Sequence, residues 1–524
     1  MQAPLTPFEF VRRARRLYSD REAVVDGELR LTYRHFFDRC DRWSSALQQL
    51  GLRPGDRVAY ITPNTHAHLE AYYAVPQTGA VIVPVNYRLT ADDFAYVINH
   101  SGARVVCVDP AYFDAVDHIR GQVPTVEHFV ALEGARPGWL DYEAAVVAAS
   151  PDFERPEIRE TDLISINYTS GTTARPKGVM LTHRNVYLNI LGTLAHLHLT
   201  SADRFFWTLP MFHCNGWTFV WIVTAVGGRH VCLRKVEPKA VFETIAREGI
   251  TFFLCAAPTV LISIANAPAA LRQRAPRGLR VLTAGAPPAA TTIERIEGEL
   301  GWSVTQVYGL TETSPFMTIC EPRPEHAQLD AREAAAIKAR QGVEFLTAGE
   351  SRVVDANGNE VPHDGATVGE IVVRGNCVLA GYYDDPEGTA EAMRGGWFYS
   401  GDAAVVHPDG YFEIRDRIKD VIISGGENIS SVEVEGVLLR HPAVQEVAVV
   451  GLPHEKWGEA LHAFVVLRAG GEVQPDELRR FCRDHLAHFK APQEFHIVPE
   501  LPKTATGKVQ KFVLRGGKPN IAPQ

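Results

Sequence analysis

The sequence lacks the features of a secreted or membrane-spanning protein. Its eight cysteines are scattered and form no C-x-x-C pair, which argues against a zinc site and against a disulfide scaffold. This cysteine usage is typical of a reducing compartment, so we expect a cytoplasmic protein. The longest apolar run, near Phe219–Val226, is too short to span a bilayer. The N-terminal segment has no secretory apolar stretch, and Ile521–Gln524 is not a peroxisomal address.

An excess of positive charge is also missing. The chain carries 53 Lys and Arg against 62 Asp and Glu, which gives a net charge of −9. Because nucleic-acid binding relies on basic surface to neutralise phosphates, we expect no nucleic-acid partner. A hydrophobic fraction of 46% and a charged fraction of 22% are typical of a globular protein. At 524 residues the chain is long enough for more than one domain.

Predicted strands and helices alternate over the first 320 residues, for example a helix over Tyr33–Leu50 followed by a strand over Arg57–Ile61. Such alternation indicates a parallel sheet flanked by helices. Residues 345–416 have shorter predicted strands and denser turns, which indicates a small antiparallel, barrel-like piece. The charged run Arg415–Asp420 fits either a solvated loop or a domain boundary.

These patterns predict an α/β protein with two domains. The large N-terminal domain, residues 1–416, has parallel αβ sheets and the barrel-like piece. Residues 417–420 form a hinge, and residues 421–524 form a small, mobile α+β C-terminal domain.

The segment Tyr168–Gly178, YTSGTTARPKG, follows a predicted buried strand and precedes the helix start that Thr182–Asn185 predicts. Gly171 lets the backbone approach a ligand closely, and Lys177 adds a positive charge. A donor-rich loop between a strand and a helix is suited to hold phosphate oxygens. The spacing does not fit a Walker loop, and an ordinary polar turn is the alternative interpretation of this segment alone.

TSGTTARPKG resembles the signature of the adenylate-forming superfamily, which includes acyl-CoA synthetases, firefly-type luciferases and peptide-synthetase adenylation domains. Three further segments, YGLTET at 308–313, SGD at 400–402 and PKTATGK at 502–508, follow in the family order, so the resemblance covers nearly the whole chain. It implies that ATP, CoA and a carboxylic acid are substrates and that Mg²⁺ is the cofactor. The acid first forms an acyl-adenylate and pyrophosphate, and a thiol then displaces AMP.

The resemblance assigns a nucleotide site. Its residues are Thr169, Ser170, Gly171, Thr172, Thr173, Lys177, Gly285, Ala286, Pro287, Tyr308, Gly309, Thr311, Asp402 and Arg417. Within this set Tyr308 borders adenine, Thr311 contacts the α-phosphate, and Asp402 binds the ribose hydroxyls with Arg417. Glu312 is implied as a catalytic residue and as the Mg²⁺ ligand, since Mg²⁺ prefers carboxylate and phosphate oxygens. Taken singly, Tyr308 also fits a packing role and Asp402 an ordinary turn.

The resemblance also assigns the catalytic lysine and the moving parts. Lys508 would bridge the acyl carboxylate and the α-phosphate as pyrophosphate leaves. Lys419 would be the hinge about which the small domain rotates between the two steps. The implied CoA-binding residues are Ser424, Gly425, Gly426 and Glu427. Without the resemblance, Lys508 and the basic residues after it would be interpreted as a solvated end of the chain.

The segment PMFHCNGW predicts the acid site. His213 is the predicted catalytic neighbour of the acyl carboxylate, and Trp217 and Phe219 are predicted walls of an apolar pocket, although a core position fits each of them as well. We expect a medium- or long-chain fatty acid as substrate. An aryl or short thioether acid, and transfer to a carrier protein, stay open. A homodimer is implied by the family. A non-catalytic homologue is disfavoured because Lys177, Glu312 and Lys508 are all present.

Overall fold

The computed structural model describes residues 3–169, 176–256, 258–286, 288–424, 427–503 and 509–516, without the side chains of 256, 258, 259, 419 and 428. Its strands are β1 (Glu22–Asp26), β2 (Leu29–Thr32), β3 (Arg57–Ile61), β4 (Val81–Val85), β5 (Ala103–Val108), β6 (His128–Ala131), β7 (Leu140–Asp141), β8 (Leu163–Thr169), β9 (Lys177–Thr182), β10 (Arg204–Phe206), β11 (Arg229–Val231), β12 (Phe252–Ala256), β13 (Arg280–Ala284), β14 (Ser303–Gly309), β15 (Phe316–Ile319), β16 (Val343–Glu344), β17 (Glu350–Val354), β18 (Gly369–Arg374), β19 (Gly381–Tyr382), β20 (Met393–Arg394), β21 (Trp397–Val406), β22 (Phe412–Arg417), β23 (Ile422–Ser424), β24 (Glu427–Ile429), β25 (Val444–His454), β26 (Gly458–Leu467) and β27 (Glu494–Ile497).

The helices alternate with these strands over the first 300 residues, as the sequence predicts. They are α1 (Phe8–Leu17), α2 (Tyr33–Gln49), α3 (His66–Ala74), α4 (Ala91–Ser101), α5 (Phe113–Ile119), α6 (Tyr142–Ala148), α7 (His183–Leu197), α8 (Cys214–Trp217), α9 (Phe219–Val226), α10 (Pro238–Glu248), α11 (Pro258–Ala265), α12 (Ala269–Arg272), α13 (Ala290–Arg295), α14 (Ala331–Lys338), α15 (Pro386–Ala392), α16 (Ser431–Leu438), α17 (Pro475–His485) and α18 (Lys511–Leu514).

Local sequence sets the helix ends. The Thr90 hydroxyl accepts a hydrogen bond from the backbone N–H of Asp93 and the Asp93 side chain accepts one from the backbone of Thr90, which forms a capping box at the start of α4. Gly102, in the left-handed conformation at φ 61°, ends the same helix. Thr182 and Asn185 form an equivalent box at α7, so the helix start predicted there is confirmed.

Two large sheets form the core of the long N-terminal part. One has the strand order β16-β15-β14-β13-β12-β10-β11-β1-β2 and the other β19-β9-β8-β4-β3-β5-β6-β7. Their central strands are parallel, and the pairs at the ends, such as β14–β15 and β8–β9, are antiparallel. The predicted α/β class with parallel sheets is confirmed.

The predicted antiparallel piece is also present. Strands β17, β18, β21 and β20 form a sheet in that order, and β22 pairs with β21. The described residues from Ile422 to Gly516, which we call the C-terminal unit, have a sheet of their own in the order β24-β23-β26-β25, with β27 on β26. The apolar side chains of this unit form their own core around Val434, Leu461 and Leu478. The domain boundaries at 416 and 421 stay a prediction.

All eight cysteines are buried and free, so the prediction of a fold without disulfides is confirmed. Burial raises the pKa of the thiols, to about 12 for Cys320 and for Cys482. Among the described helices, none is long and apolar enough to cross a bilayer.

Candidate active site

The carboxyl ends of parallel strands bring several predicted nucleotide residues to one edge of a sheet. Strands β13 and β14 are parallel neighbours. Gly285 and Ala286 follow β13, and Tyr308 and Gly309 are the last residues of β14. A Cβ on Gly309 would collide with the backbone carbonyl oxygen of Pro315, so only glycine fits this position. This edge is where open parallel sheets bind ligands.

Asp402 lies beside this edge and is engaged through both carboxylate oxygens. The Tyr308 hydroxyl donates to Oδ2 at 2.6 Å, and Arg417 Nε lies 2.7 Å from Oδ1. Asp402 and Arg417 face each other in the β21–β22 ladder, so the pair is fixed by strand register. The Asp402 charge raises the pKa of Arg417, and burial raises that of Tyr308. Each carboxylate oxygen keeps a second lone pair, so Asp402 can still accept two hydroxyl groups.

Glu312 has a different environment. It lies in the turn after β14, where the Tyr382 hydroxyl donates to Oε1 at 3.0 Å and the backbone N–H of Leu379 donates to the Glu312 carbonyl oxygen at 2.7 Å. Among the described residues no basic side chain forms an ion pair with this carboxylate. Burial raises the pKa of Glu312, against the opposing effects of Tyr382 and Arg417. A carboxylate that loses water without gaining a counter-charge is suited to bind a cation.

Lys177 lies on the other side of Tyr382. Its Nζ is 3.1 Å from Asp385 Oδ2 and 4.7 Å from the centre of the Tyr382 ring. Lys177 begins β9 and pairs with Thr169 at the end of β8. The predicted phosphate-binding loop therefore connects two antiparallel strands, and the prediction that it runs from a strand into a helix is wrong. The apolar residues after Gly178 form β9, and the helix begins only after it.

Several predicted site residues lie outside the described part of the chain. They are Ser170, Gly171, Thr172, Thr173, Pro287, Gly425, Gly426 and Lys508. Their roles stay predictions. Thr311 is described and is buried at the start of the turn that contains Glu312.

The segment after His213 has an unusual backbone. Residues 214–218 all have positive φ, between 44° and 62°, and only one of them is glycine. Left-handed geometry costs about 1–2 kcal/mol for each L-residue with a side chain, so tertiary contacts must hold it. At Gly216 a Cβ would meet the Trp207 ring, which excludes any larger residue.

A buried triangle of polar side chains holds this turn against β8. Asn167 Nδ2 donates to Asn215 Oδ1 at 3.1 Å, Asn215 Nδ2 donates to Ser165 Oγ at 2.8 Å, and Ser165 Oγ donates to Asn167 Oδ1 at 2.8 Å. Because β8 leads into the predicted phosphate loop, the triangle links that loop to the predicted acid site. We did not identify these residues from the sequence; polar side chains within the apolar strand LISIN are the signal that could have found them.

The predicted pocket walls have different surroundings. Trp217 packs edge-on against Phe316, with ring centres 5.7 Å apart. Phe219 stacks between Phe205 and Phe252, at 4.9 and 5.5 Å, and is fully buried. This stack favours a core position for Phe219, whereas Trp217 lies on the strained turn directly after His213.

The predicted hinge and CoA residues lie where the C-terminal unit begins. Lys419 is within the single helical turn Ile418–Asp420. Ser424 and Glu427 are paired at the ends of the antiparallel strands β23 and β24. The hinge and CoA-binding roles of these residues stay predictions.

The basic residues after the predicted catalytic lysine are paired. Lys511 Nζ is 2.8 Å from Glu435 Oε1 and also donates to Ser431 Oγ. Arg515 Nη1 is 2.5 Å from Asp420 Oδ1. Burial lowers the pKa of Lys511, but the Glu435 carboxylate outweighs it and raises the pKa. The segment is therefore anchored to the predicted hinge, and the interpretation as a solvated basic end is wrong for Lys511 and Arg515.

One further cluster has the residue types of a metal site. Ligand atoms of Asp26, His66 and Glu133 lie within 4.8 Å of one another. His66 already bonds Asp26 Oδ2 at 2.8 Å and Glu143 Oε1 at 3.1 Å. Burial lowers the pKa of His66, but these two carboxylates raise it to about 10. We interpret an imidazole that is held in this way between two carboxylates as part of an ion-pair network.

The sequence matches two family models and known CoA ligases. A model described as AMP-binding enzyme matches residues 10–383, and one described as AMP-binding enzyme C-terminal domain matches residues 433–508. The chain is 42% identical over 520 residues to a 4-hydroxybutyrate–CoA ligase of Metallosphaera sedula, covering 98% of this chain and 94% of the relative. It is 41% identical over 545 residues to a peroxisomal acetate/butyrate–CoA ligase of Arabidopsis thaliana, covering 99% and 95%.

Solved structures show the same fold. An anthranilate CoA ligase in complex with anthranoyl-AMP superposes with a TM-score of 0.89 at 25% identity, covering 98% of each chain. MatB from Rhodopseudomonas palustris superposes with a TM-score of 0.86 in its ATP-bound form and 0.75 in its apo form, at 28% identity and with coverage of 98% of this chain and 99% of MatB in both cases. The present chain thus superposes better on the ATP-bound form than on the apo form.

Proposed function

Since the chain belongs to the AMP-binding enzyme family, we propose that it is an ATP-dependent acid–CoA ligase that forms an acyl-adenylate and then an acyl-CoA. The observation that carries the proposal is the unit formed by Tyr308, Asp402 and Arg417 at the carboxyl edge of the sheet. It offers a fixed acceptor for a ribose diol beside a tyrosine that can border a purine. The ligase names of the relatives support the same activity.

The first step is attack of the acid carboxylate on the α-phosphorus of ATP, with release of pyrophosphate. In it, Asp402 and Arg417 hold the ribose, Tyr308 borders the adenine together with Gly285 and Ala286, and Thr311 contacts the α-phosphate. Lys177 contacts the outer phosphates. Lys508 stabilises the charge that develops as pyrophosphate leaves, and preorganised charge of this kind contributes about 3 kcal/mol.

Glu312 fits a Mg²⁺ ion. It is a carboxylate whose pKa is raised by burial and which, in the described part of the chain, has no basic partner. Mg²⁺ binds through one or two carboxylates together with substrate phosphates, and when bound it neutralises phosphate charge. Glu312 and the phosphates of ATP would hold it.

The second step is attack of the CoA thiol on the acyl carbon, with AMP as the leaving group. We propose that the C-terminal domain rotates about Lys419 between the steps, which removes Lys508 and brings the Ser424–Glu427 segment to the site. Lys508→Ala is expected to abolish adenylate formation and to spare thiolation of a supplied acyl-adenylate, measured as separate half-reactions. Equal loss in both half-reactions would contradict the rotation.

We propose a short carboxylic acid as the substrate. The relatives are named for acetate, butyrate and 4-hydroxybutyrate, which favours a shorter acid than the medium- or long-chain acid expected from the sequence. The stacking of Phe219 between two core phenylalanines also leaves Trp217 as the better candidate for the pocket wall. His213, directly before the strained turn, is the proposed neighbour of the acid carboxylate.

The test is pyrophosphate release with ATP and Mg²⁺ across acids from acetate to palmitate, with aryl and thioether acids, measured with and without CoA. We expect release to peak at a short acid and to increase on addition of CoA. A peak at a long acid would overturn the substrate proposal alone. A rate of pyrophosphate release that is the same with and without CoA would indicate a carrier protein as the acceptor. No release with any acid would overturn the ligase proposal. Cytoplasmic location and a homodimer remain proposals.

A further inference from the structure

A cleft of about 220 Å³ lies between the long N-terminal part and the C-terminal unit. None of the residues assigned to nucleotide, acid or CoA lines it. One wall comes from α11, the residue after it and α13, and the other from the segment after α16 together with Arg468, which follows β26. The cleft therefore exists only while the two parts keep this arrangement.

Two guanidinium groups, one from each part of the chain, converge in this cleft. Arg295 Nη1 donates to Asn266 Oδ1 at 3.0 Å, and Arg468 Nη1 donates to the same oxygen at 3.4 Å. Two cations thus share one neutral amide oxygen. Arg295 also donates to the Ala265 carbonyl and, through Nε, to the Glu299 carboxylate at 3.2 Å, and Arg468 also donates to the Val444 carbonyl. Each guanidinium has five N–H donors, so donors remain beyond those used here.

Negative charge is scarce around this pair. Arg295 has one acidic partner among the described residues, Glu299 at 3.2 Å, and Glu299 also pairs with Arg272. Within the described ranges, neither Arg440 nor Arg468 has an acidic side chain within the distance of an ion pair. Burial and the charges of Arg468 and Arg272 lower the pKa of Arg295. The cleft therefore concentrates positive charge in a chain whose net charge is −9.

We propose that this cleft binds a small phosphate-bearing anion, of the diphosphate or triphosphate class, between Arg295 and Arg468. Arginine forks match phosphate oxygens, and the threonines Thr291 and Thr292 on the same wall can add hydroxyl donors. The volume of about 220 Å³ is below the range of about 300–1,000 Å³ that larger ligands occupy, which favours a small anion over a nucleotide. Because the two arginines belong to different parts of the chain, the anion would favour this arrangement of the parts.

The direct test is isothermal titration calorimetry of the full chain with sodium tripolyphosphate and with inorganic phosphate. Arg468→Gln and Arg295→Gln are expected to bind tripolyphosphate at least about tenfold more weakly than the unchanged protein, since each removes a charge-assisted contact. Arg480→Gln is the matched control, because Arg480 is an exposed arginine of the same unit outside the cleft, and it is expected to bind as tightly as the unchanged protein.

The predicted phosphate loop could bind the same probe, so Lys177→Gln separates the two locations. Binding in the cleft is retained in Lys177→Gln and lost in Arg468→Gln. The reverse pattern, or equal binding by all variants, would overturn the proposal. This outcome does not depend on ligase activity, so failure of the proposed function would leave the test intact.

Asn266→Asp separates lost binding from a damaged fold. The new carboxylate would lie between the two arginines and take the place of the anion. We expect loss of tripolyphosphate binding with a melting temperature no lower than that of the unchanged protein, because the two guanidinium groups gain an exposed counter-charge. Tight binding of tripolyphosphate by Asn266→Asp would contradict the proposed location.

Discussion

Asp402 and Glu312 are two carboxylates of one candidate site in opposite conditions. Asp402 is buried with a tyrosine on one oxygen and an arginine on the other. Glu312 has a tyrosine hydroxyl and, among the described residues, no ion pair. The first is an acceptor completed by the fold before any ligand arrives. The second has no such partner among the described residues, and burial raises its pKa. In the proposed function the site would therefore be preorganised for the nucleoside, and Glu312 would gain its counter-charge only with the bound metal and nucleotide.

The largest effect is expected for Asp402→Asn. It leaves the half-buried Arg417 with a neutral neighbour, and the cost of about 3–5 kcal/mol for breaking a fully buried ion pair is the upper bound here. We expect kcat/KM for ATP to fall by more than about 100-fold and the melting temperature to fall as well. Asp409→Asn is the matched control, because its pair with Arg340 lies at the surface and contributes less than about 1 kcal/mol. Equal losses of kcat/KM and of melting temperature in Asp402→Asn and Asp409→Asn would show that the Asp402–Arg417 pair has no special role.

Glu312→Gln should separate activity from stability. The amide keeps an oxygen for Tyr382 but removes the charge, so Mg²⁺ is expected to bind at least about tenfold more weakly. The melting temperature should stay or rise, because a carboxylate that burial disfavours has been removed. Both quantities are measured on one preparation, by pyrophosphate release against Mg²⁺ concentration and by thermal unfolding. If Glu312→Gln melted at as low a temperature as Asp402→Asn, the two carboxylates would contribute equally to stability, and the contrast between them would be wrong.

The pH dependence of Mg²⁺ binding gives a third comparison. A raised pKa means that Glu312 takes up its proton at a higher pH than an ordinary glutamate does. Mg²⁺ needs the ionised form, so its affinity should begin to fall at a higher pH than it would for an ordinary glutamate ligand as the pH is lowered, and binding should release protons. Calorimetry in buffers of different ionisation enthalpy measures both effects. A Glu312→Gln protein is expected to show neither, and a pH dependence unchanged in that variant would assign the titration to another group.

The smallest effect is expected for Tyr382→Phe. The hydroxyl donates to Glu312 and lowers its pKa, so its loss should raise the pKa further and weaken Mg²⁺ binding at neutral pH by about fivefold. The ring that faces Lys177 at 4.7 Å is kept, so this contact should be unchanged. Mg²⁺ titration of pyrophosphate release is the measurement. A loss larger than that of Glu312→Gln would show that Tyr382 acts through something other than this carboxylate.

The resemblance of short motifs predicted the family, and it also named Asp402 and Arg417, which the structure brings together as an ion pair; their role at a ribose stays a prediction. The family models confirm the adenylate-forming resemblance. The antiparallel pairing of β9 with β8 was missed because a short apolar run does not distinguish a strand from a connection. The left-handed turn at 214–218 was missed because propensity allows such geometry only for glycine, and here a distant asparagine holds it.

The ion pairs of Lys511 and Arg515 could not be predicted for a related reason. Their partners, Glu435 and Asp420, are remote in sequence and become neighbours only when the C-terminal unit folds. From the sequence alone, basic residues near the end of a chain are therefore interpreted as solvated, because their acidic partners are known only from the folded structure.

The burial of all eight cysteines makes this chain a ready background for site-directed labelling. A maleimide dye needs an accessible thiolate, and here burial both blocks access and raises the thiol pKa. One cysteine introduced on the exposed face of α10 and one on α17 would therefore react selectively, without removal of any native cysteine. Energy transfer between the two dyes would then follow the proposed rotation of the C-terminal domain, one molecule at a time.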